Sequence, residues 1–373
     1  MIKIIFIQPG YAHYRRELFN ILNSKYDILF VFLKEIGTYP SMQKPGKEWN
    51  TICLRREHNW LWMYHLAKVI VKINPDVIIT SNNGSYQAII SGFIGWLLSK
   101  HVILWSIAWE NPHIEKQRRL FKKVIKNIRV SLTSTLAKAI VVGGSKSKEY
   151  NQKLVNRKKP IFYAYQSNRD ISMDGNRLEF KKEIQKDSEK IKLLYFSRIV
   201  DLKGLDYLIK AFAKLGREYK NIKLNIAGDG PFREYCEDLS KKLKIENIEF
   251  FGAVQNEEAW NYYNEADIFI LPHNGKKIEG WGLVINEAAS MSLPIITTEV
   301  AGAAGDLVVN GVNGYVVPPA DVNALKEAIE KLIINENRRV IMGRESRKLF
   351  EKINNYHSMA DGFDQAIQYV LPK

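Results

Sequence analysis

The sequence predicts an α/β protein of two domains, each a doubly wound parallel sheet with helices on both faces. Three observations carry that expectation. Short apolar runs alternate with longer helical stretches through both halves, the pattern of parallel strands joined by helices. The 373 residues are too many for one comfortable core and suit two domains of ordinary size. Between the halves, residues 169–190 are rich in lysine and poor in apolar side chains, which reads as a linker. The expected organisation is a first domain over 1–168, that linker, a second domain over 191–352 and a tail over 353–373.

In chain order, Met1-Ile-Lys-Ile-Ile-Phe-Ile-Gln8 is too short and too weakly charged for a signal peptide and reads as a strand over Ile2–Ile7. Asp27–Phe32, Val77–Thr80, Val102–Trp105 and Ala139–Val142 read as further strands. The longest apolar stretch, Ala88–Ser99, is twelve residues and holds Gly92 and Gly95. That is well short of the ~20 residues that span a bilayer, so it predicts a buried helix and a protein not integral to a membrane. From Lys116 to Arg129, Phe121, Val124, Ile125, Ile128 and Leu132 recur at helical spacing, while Arg119, Lys122, Lys123, Lys126 and Arg129 take other faces. Such a helix either sets its apolar side into the core or lies on an anionic leaflet.

In the second half, the segment Lys192-Leu-Leu-Tyr-Phe reads as a strand that releases Arg198 and Lys203 into the loop after it. Lys223–Ala227 runs into the tight turn Gly228-Asp229-Gly230-Pro231, followed by a helix from Phe232. Ile248–Phe251 ends at Gly252-Ala253-Val254. Ala266–Leu271 reads as a buried strand, broken at Pro272, and Val284–Met291 as a helix that stops before Pro294. The tail, Tyr356–Val370, has the pattern of an amphipathic helix.

The chemistry concentrates where these strands end. Glu279-Gly-Trp-Gly-Leu-Val-Ile-Asn-Glu287 places one carboxylate in a strand-to-helix loop and a second about one turn into the helix. Gly280 and Gly282 allow close backbone approach, and the free N–H groups of a helix start can receive an anion. Arg198 and Lys203 are two cations at a strand's carboxyl end, suited to a diphosphate, with Arg able to bind bidentately. In an open parallel sheet ligands bind at that end. A phosphate gripped there, with carboxylates to hold hydroxyls, suits a nucleotide sugar. In the first half, Gly10, in Gln8-Pro9-Gly10-Tyr11, either brings backbone close to a donor phosphate or an acceptor, or is a plain turn glycine. Trp105 and Trp109 either stack on a sugar or fill the core.

The set Arg198…Lys203-Gly204, Gly228-Asp229-Gly230-Pro231, Glu279-x7-Glu287 and Gly311-Val-Asn-Gly-Tyr-Val-Val resembles the retaining GT-B glycosyltransferases of family 4. It covers nearly all of residues 190–333. The resemblance implies two Rossmann-like domains facing a cleft, hinge motion between them, and a tail helix that returns to the first domain. It implies transfer of a sugar from a nucleotide donor with retention, and neither a metal nor another cofactor. By the same resemblance Arg198 and Lys203 hold the diphosphate, Glu279 contacts the donor sugar, Glu287 holds the ribose and the backbone around Val254 meets the base. Gly282, Leu283 and Val284 form the helix start that would stabilise the leaving group with Arg198 and Lys203. Glu279, Arg198 and Lys203 are thus the catalytic candidates, Glu279 as a sugar-positioning group ahead of a nucleophile. Tyr14-Arg-Arg-Glu-Leu-Phe19 resembles the helix opening of polysaccharide-building members. A histidine that many relatives carry near Ala108-Trp109-Glu110 is missing, which leaves Glu110, His113 and Tyr11 as candidates for the acceptor.

Charge narrows the partners. Residues 1–165 hold 26 Lys and Arg against 9 Asp and Glu, a net +17, while residues 166–373 hold 29 against 31, a net −2. A basic half meets nucleic acid, an anionic membrane or an anionic acceptor. No nucleic-acid module is present, so the expected partners are a nucleotide sugar, a saccharide or lipid-linked acceptor and an anionic membrane surface. Cys53 and Cys236 show no framework spacing and point to a reducing compartment, hence the cytoplasm and the inner face of the cell membrane. His13, His58 and His65 lack metal-ligand spacing, and no Asp-x-Asp triplet occurs. A dehydrogenase is disfavoured because no G-x-G-x-x-G follows the first strand. The alternatives that remain are a non-catalytic nucleotide-sugar-binding scaffold and a GT-B sugar-nucleotide epimerase.

Overall fold

The computed structural model describes residues 1–33, 49–54, 61–81, 84–111, 120–155, 159–174 and 190–371, and the chain divides into two compact units. The first holds Met1–Glu110, Glu115–Gln166 and Asn355–Lys373, the second Asn111–Ile114 and Ser167–Asn354. His113, Arg119 and positions 175–189 of the expected linker lie outside the described residues, as do the side chains of Lys122 and Lys123.

The first unit is a seven-stranded parallel sheet in the order β3-β2-β1-β4-β5-β6-β7. Its strands are β1 Lys3–Gln8, β2 Asp27–Phe32, β3 Asn50–Cys53, β4 Val77–Ser81, β5 His101–Ser106, β6 Ala139–Val142 and β7 Ile161–Tyr163. The helices between them are α1 Arg16–Lys25, α2 Leu61–Ile73, α3 Tyr86–Leu97, α4 Leu120–Leu136 and α5 Ser145–Leu154. Alternation along each strand supplies two faces. Ile5, Ile7, Val31, Ile78 and Leu104 pack under α2 and α3, through Trp62, Leu66, Ile70 and Ala88. Phe6, Phe30, Phe32 and Trp105 pack under α1, through Leu18, Phe19 and Leu22. The sequence reading missed β3 and β7. Both are edge strands with half-buried or exposed residues, so neither shows an apolar run.

One helical expectation needs correction, and one open choice is narrowed. The stretch expected as a buried helix, Ala88–Ser99, is α3, and it buries only one side. Gly92 and Gly95 let that side sit close to Leu136 and Val102, while Phe93, Trp96 and Leu97 are each more than half exposed. In α4 the apolar stripe faces outward: Phe121 is 74% exposed, and Val124, Ile125, Ile128 and Leu132 are exposed too. The core alternative for that stripe therefore falls.

The second unit is a six-stranded parallel sheet in the order β10-β9-β8-β11-β12-β13. Its strands are β8 Ile191–Phe196, β9 Ile222–Ala227, β10 Ile248–Gly252, β11 Ile268–Leu271, β12 Ile295–Thr298 and β13 Gly314–Val317. Its helices are α6 Leu205–Glu218, α7 Arg233–Lys242, α8 Ala259–Glu265, α9 Leu283–Ser290, α10 Val322–Ile333 and α11 Glu336–Ile353. The last helix, α12 Tyr356–Val370, clusters with the first unit, where Met359, Phe363, Ile367 and Val370 join the core under α1. Full burial of side chains of this size contributes about 1.5–3 kcal/mol each. In both sheets the winding reverses beside the first strand, between β1 and β4 and between β8 and β11. The crevice at the carboxyl ends of such a pair is where open α/β sheets take ligands.

Candidate functional site

In the second unit the loops after β8 and β11 meet at this reversal. Asp201–Lys203 forms a 3-10 turn, and Gly204 follows it at φ +70°. A Cβ at Gly204 would stand 2.0 Å from the carbonyl oxygen of Pro272, so only glycine lets this turn close onto the loop after β11. Asn274 fastens the closure, its N–H donating to Leu202 O (3.0 Å) and its Nδ2 to Asp201 O (2.7 Å). The result is an ion pair between Lys203 Nζ and the Glu279 carboxylate, with Lys203 only 9% exposed.

Arg198 stands on the same loop with its guanidinium exposed and without a partner among the described residues. The backbone beneath it is fixed from β9. A Cβ at Gly228 would lie 2.0 Å from Ser197 O, and Ile199 N–H donates to Asp229 O at 2.8 Å. The Gly228-Asp229-Gly230 turn thus has a packing role, as the brace of the Arg198 loop.

Glu279 is followed by Trp281, whose carbonyl accepts from Ala303 N–H at 3.2 Å. Gly282 caps α9 in the left-handed region, and Ile285 N–H returns to Gly282 O at 2.8 Å, so Leu283 and Val284 supply the first N–H groups of the helix. Glu287, one turn in, is gripped on both oxygens. Tyr263 OH donates to Oε2 and Asn168 Nδ2 to Oε1, each at 2.8 Å. Burial pushes this carboxyl up, against the pull of those two donors and Arg169. A polar chain extends the grip. Asn354 Nδ2 donates to Asn168 O (2.7 Å), Asn286 Nδ2 donates to Asn354 Oδ1, and Trp281 Nε1 donates to Asn286 Oδ1 (2.7 Å).

Asn168, Asn354 and His273 escaped the sequence reading. His273 is fully buried, its Nδ1 accepting from Gly275 N–H at 3.3 Å and its Nε2 standing 3.9 Å from Glu279 Oε2. Burial, opposed by Glu279 and reinforced by Lys203, pushes its pKa down to about 4, so the ring is neutral at physiological pH.

The remaining candidates are more scattered. Val254 is half-buried in the loop after β10. In the first unit Gly10 is half-buried in the bend after β1, and Glu110 is half-buried in the loop after β5. Tyr11 is a core residue, 4% exposed, with its ring edge-on to Phe32 and Trp49 at centroid distances of 5.9 and 5.7 Å. Its ring is thus packed into the core of the first unit. Trp105 and Trp109 are buried as well.

Residues 176–349 match the family described as Glycosyl transferases group 1. The match lies within the second unit. Among its relatives, the capsular polysaccharide biosynthesis glycosyltransferase CapM of Staphylococcus aureus is 32% identical over 48% of this chain. A GDP-mannose-dependent alpha-(1-6)-phosphatidylinositol monomannoside mannosyltransferase of Mycolicibacterium smegmatis is 32% identical over 40% of it. The chain spans about half the length of these relatives, 46% and 41%. Likeness in fold runs further. HepE of Anabaena, solved in complex with UDP, superposes with a TM-score of 0.75 over 99% of this chain and 100% of its own, at 15% identity. The two parallel sheets are the GT-B fold, and the family match lies in its second half.

Proposed function

We propose that this chain is a hexosyltransferase-like enzyme that moves a sugar from a nucleoside-diphosphate donor to a saccharide or lipid-linked saccharide, in the building of surface polysaccharide or glycoconjugate. The observation that carries the reading is the set of groups at the β8–β11 reversal: Lys203 on Glu279, exposed Arg198 on the same loop as Lys203, and the start of α9. The diphosphate would draw Lys203 from Glu279 and engage Arg198, and the released carboxylate would then accept hydrogen bonds from the sugar. As the glycosidic bond breaks, charge grows on the leaving diphosphate. Arg198, Lys203 and the N–H groups at Leu283 and Val284 would stabilise it, the work a divalent ion does elsewhere. Attack on the face the diphosphate leaves, with its oxygen taking the acceptor proton, would retain configuration without a covalent intermediate. Glu287 would hold the ribose and the loop at Val254 the base, and the first unit would take the acceptor. The names of the two relatives above support a polysaccharide or lipid-linked product. A thermal-shift panel of UDP-, GDP- and ADP-sugars tests the donor: a true one at a hundred times its dissociation constant should add ~2.7 kcal/mol, and no shift from any would sink the reading.

We place the enzyme peripherally on an anionic cytoplasmic leaflet. The net +17 of residues 1–165 supports this, as do the outward apolar stripes of α3 and α4. The two helices adjoin, with the Arg129 guanidinium 4.5 Å over the Tyr86 ring. No helix among the described residues is long and apolar enough to cross a membrane. Sedimentation should show binding to anionic vesicles that weakens as salt rises, since screening acts over about 8 Å at physiological ionic strength. Replacing Phe121, Ile128 and Trp96 with Gln should also reduce it. Equal binding to neutral vesicles, or no loss in the variant, would remove this surface from the account.

A further inference from the structure

The first unit has its own reversal of winding, between β1 and β4, and a small cavity of about 40 Å³ opens there. Its lining is Gln8, Pro9, Arg15, Ser81, Trp105 and Ile107. Gln8 ends β1, Ser81 ends β4 and Trp105 lies one residue from the end of β5, so the cavity caps three neighbouring strands at their carboxyl ends. Its polar atoms share one character. Arg15 Nη1 donates to Gln8 Oε1, which fixes the amide with Nε2 turned away from it. That Nε2, the Trp105 indole Nε1 and Arg15 Nε are all buried, and all lack a hydrogen-bond partner among the described residues. Gln8 is fully buried and Trp105 is 2% exposed. The Arg15 guanidinium lies 4.4 Å over the Trp105 ring, which adds a fixed positive charge. No acidic side chain among the described residues lines the cavity.

Native interiors pair nearly all such groups, so three idle donors in one cavity mark a place where the acceptor arrives from outside. A single water can accept only two of them and leaves the charge unanswered. An anionic oxygen pair answers both, and charge-assisted bonds to Arg are the strong ones. The geometry points to a subsite for an anionic group, a carboxylate or the terminal oxygens of a phosphate, carried by the acceptor. This rests on the reading of the chain as a glycosyltransferase and names the class of acceptor it takes: an acidic or phosphorylated saccharide. The volume admits such a terminal group and not a sugar ring.

Calorimetry on the whole protein tests it with glucose 6-phosphate, methyl glucuronoside and neutral methyl glucoside. The expected result is saturable binding of one or both anions and none of the neutral sugar. The two anionic arms tell phosphate from carboxylate. Gln8→Glu is the decisive variant, because a carboxylate there pairs with Arg15 and occupies the cavity from within. It should keep the parent's unfolding temperature and lose at least tenfold in affinity for the anion. Trp105→Phe, which removes one donor and keeps a ring, should lose several-fold. Anion binding unchanged in Gln8→Glu, or none in the parent, would leave a water-filled cavity and overturn the proposal. Loss of nucleoside diphosphate affinity in Gln8→Glu matching the loss for glucose 6-phosphate would assign the cavity to the donor and overturn it too. Failure of the donor reading would appear separately, as a flat thermal-shift panel with anion binding intact.

Discussion

Replacing Arg198 with alanine should weaken nucleoside diphosphate binding by about 10- to 100-fold and leave the unfolding midpoint where it is. The two halves of that expectation have different sources. A charge-assisted contact contributes about 1.5–3 kcal/mol, and each 1.4 kcal/mol is tenfold in affinity. Stability should hold because the guanidinium is exposed and lacks a partner among the described residues. Lys203→Ala should lose similar affinity and also some stability, since it removes the cation paired with Glu279 in a mostly buried site. Arg198→Ala is therefore the cleaner probe. Calorimetry that found unchanged affinity in both variants would remove the diphosphate from this loop.

The two carboxylates should separate just as sharply. In Glu287→Gln the new amide can accept from Asn168 and donate to the Tyr263 hydroxyl, so the loop stays in place and a loss reports on the ribose. Affinity for the bare nucleotide should fall by about 1 kcal/mol, the size of one ordinary hydrogen bond. Glu279→Gln should not weaken bare nucleoside diphosphate at all, because Lys203 is released from its partner. Turnover of the full donor should instead fall about 100-fold, the scale on which removing one electrostatic contact to a transition state is felt. Wild-type turnover in Glu279→Gln would detach that residue from the sugar.

Much of the second unit was legible because its candidate site residues sit at strand ends that apolar runs and glycines announce. Arg198, Lys203 and Glu279 lie in the loops where the spacing put them, and the reason Lys203 meets Glu279 is the Gly204 turn already visible in the sequence. What supports them was not legible. Asn168 reaches Glu287 across 119 positions, and Asn354 lies 186 from Asn168. No local pattern marks such partners. His273 looked like any residue after a strand; only its full burial beside an ion pair sets it apart. In the first unit, β3 and β7 were hidden by their place at the sheet edges. The outward turn of α3 was hidden by composition, because hydropathy does not tell a buried apolar helix from one whose small residues alone face the core. Gln8, Arg15 and Trp105 converge only through the order of strands β1, β4 and β5.

In the proposed mechanism Arg198 and Lys203 drive departure of a nucleoside diphosphate without a metal and with retention. Its test is release of nucleoside diphosphate from UDP-, GDP- and ADP-sugars in the presence of EDTA and a membrane extract, with the product's anomeric configuration read by NMR. The parent should release it from at least one donor, undiminished by EDTA and with the donor's configuration kept, and Arg198→Ala should do so at least tenfold more slowly. Release that stops in EDTA and returns with a divalent ion, or a product of inverted configuration, would contradict it.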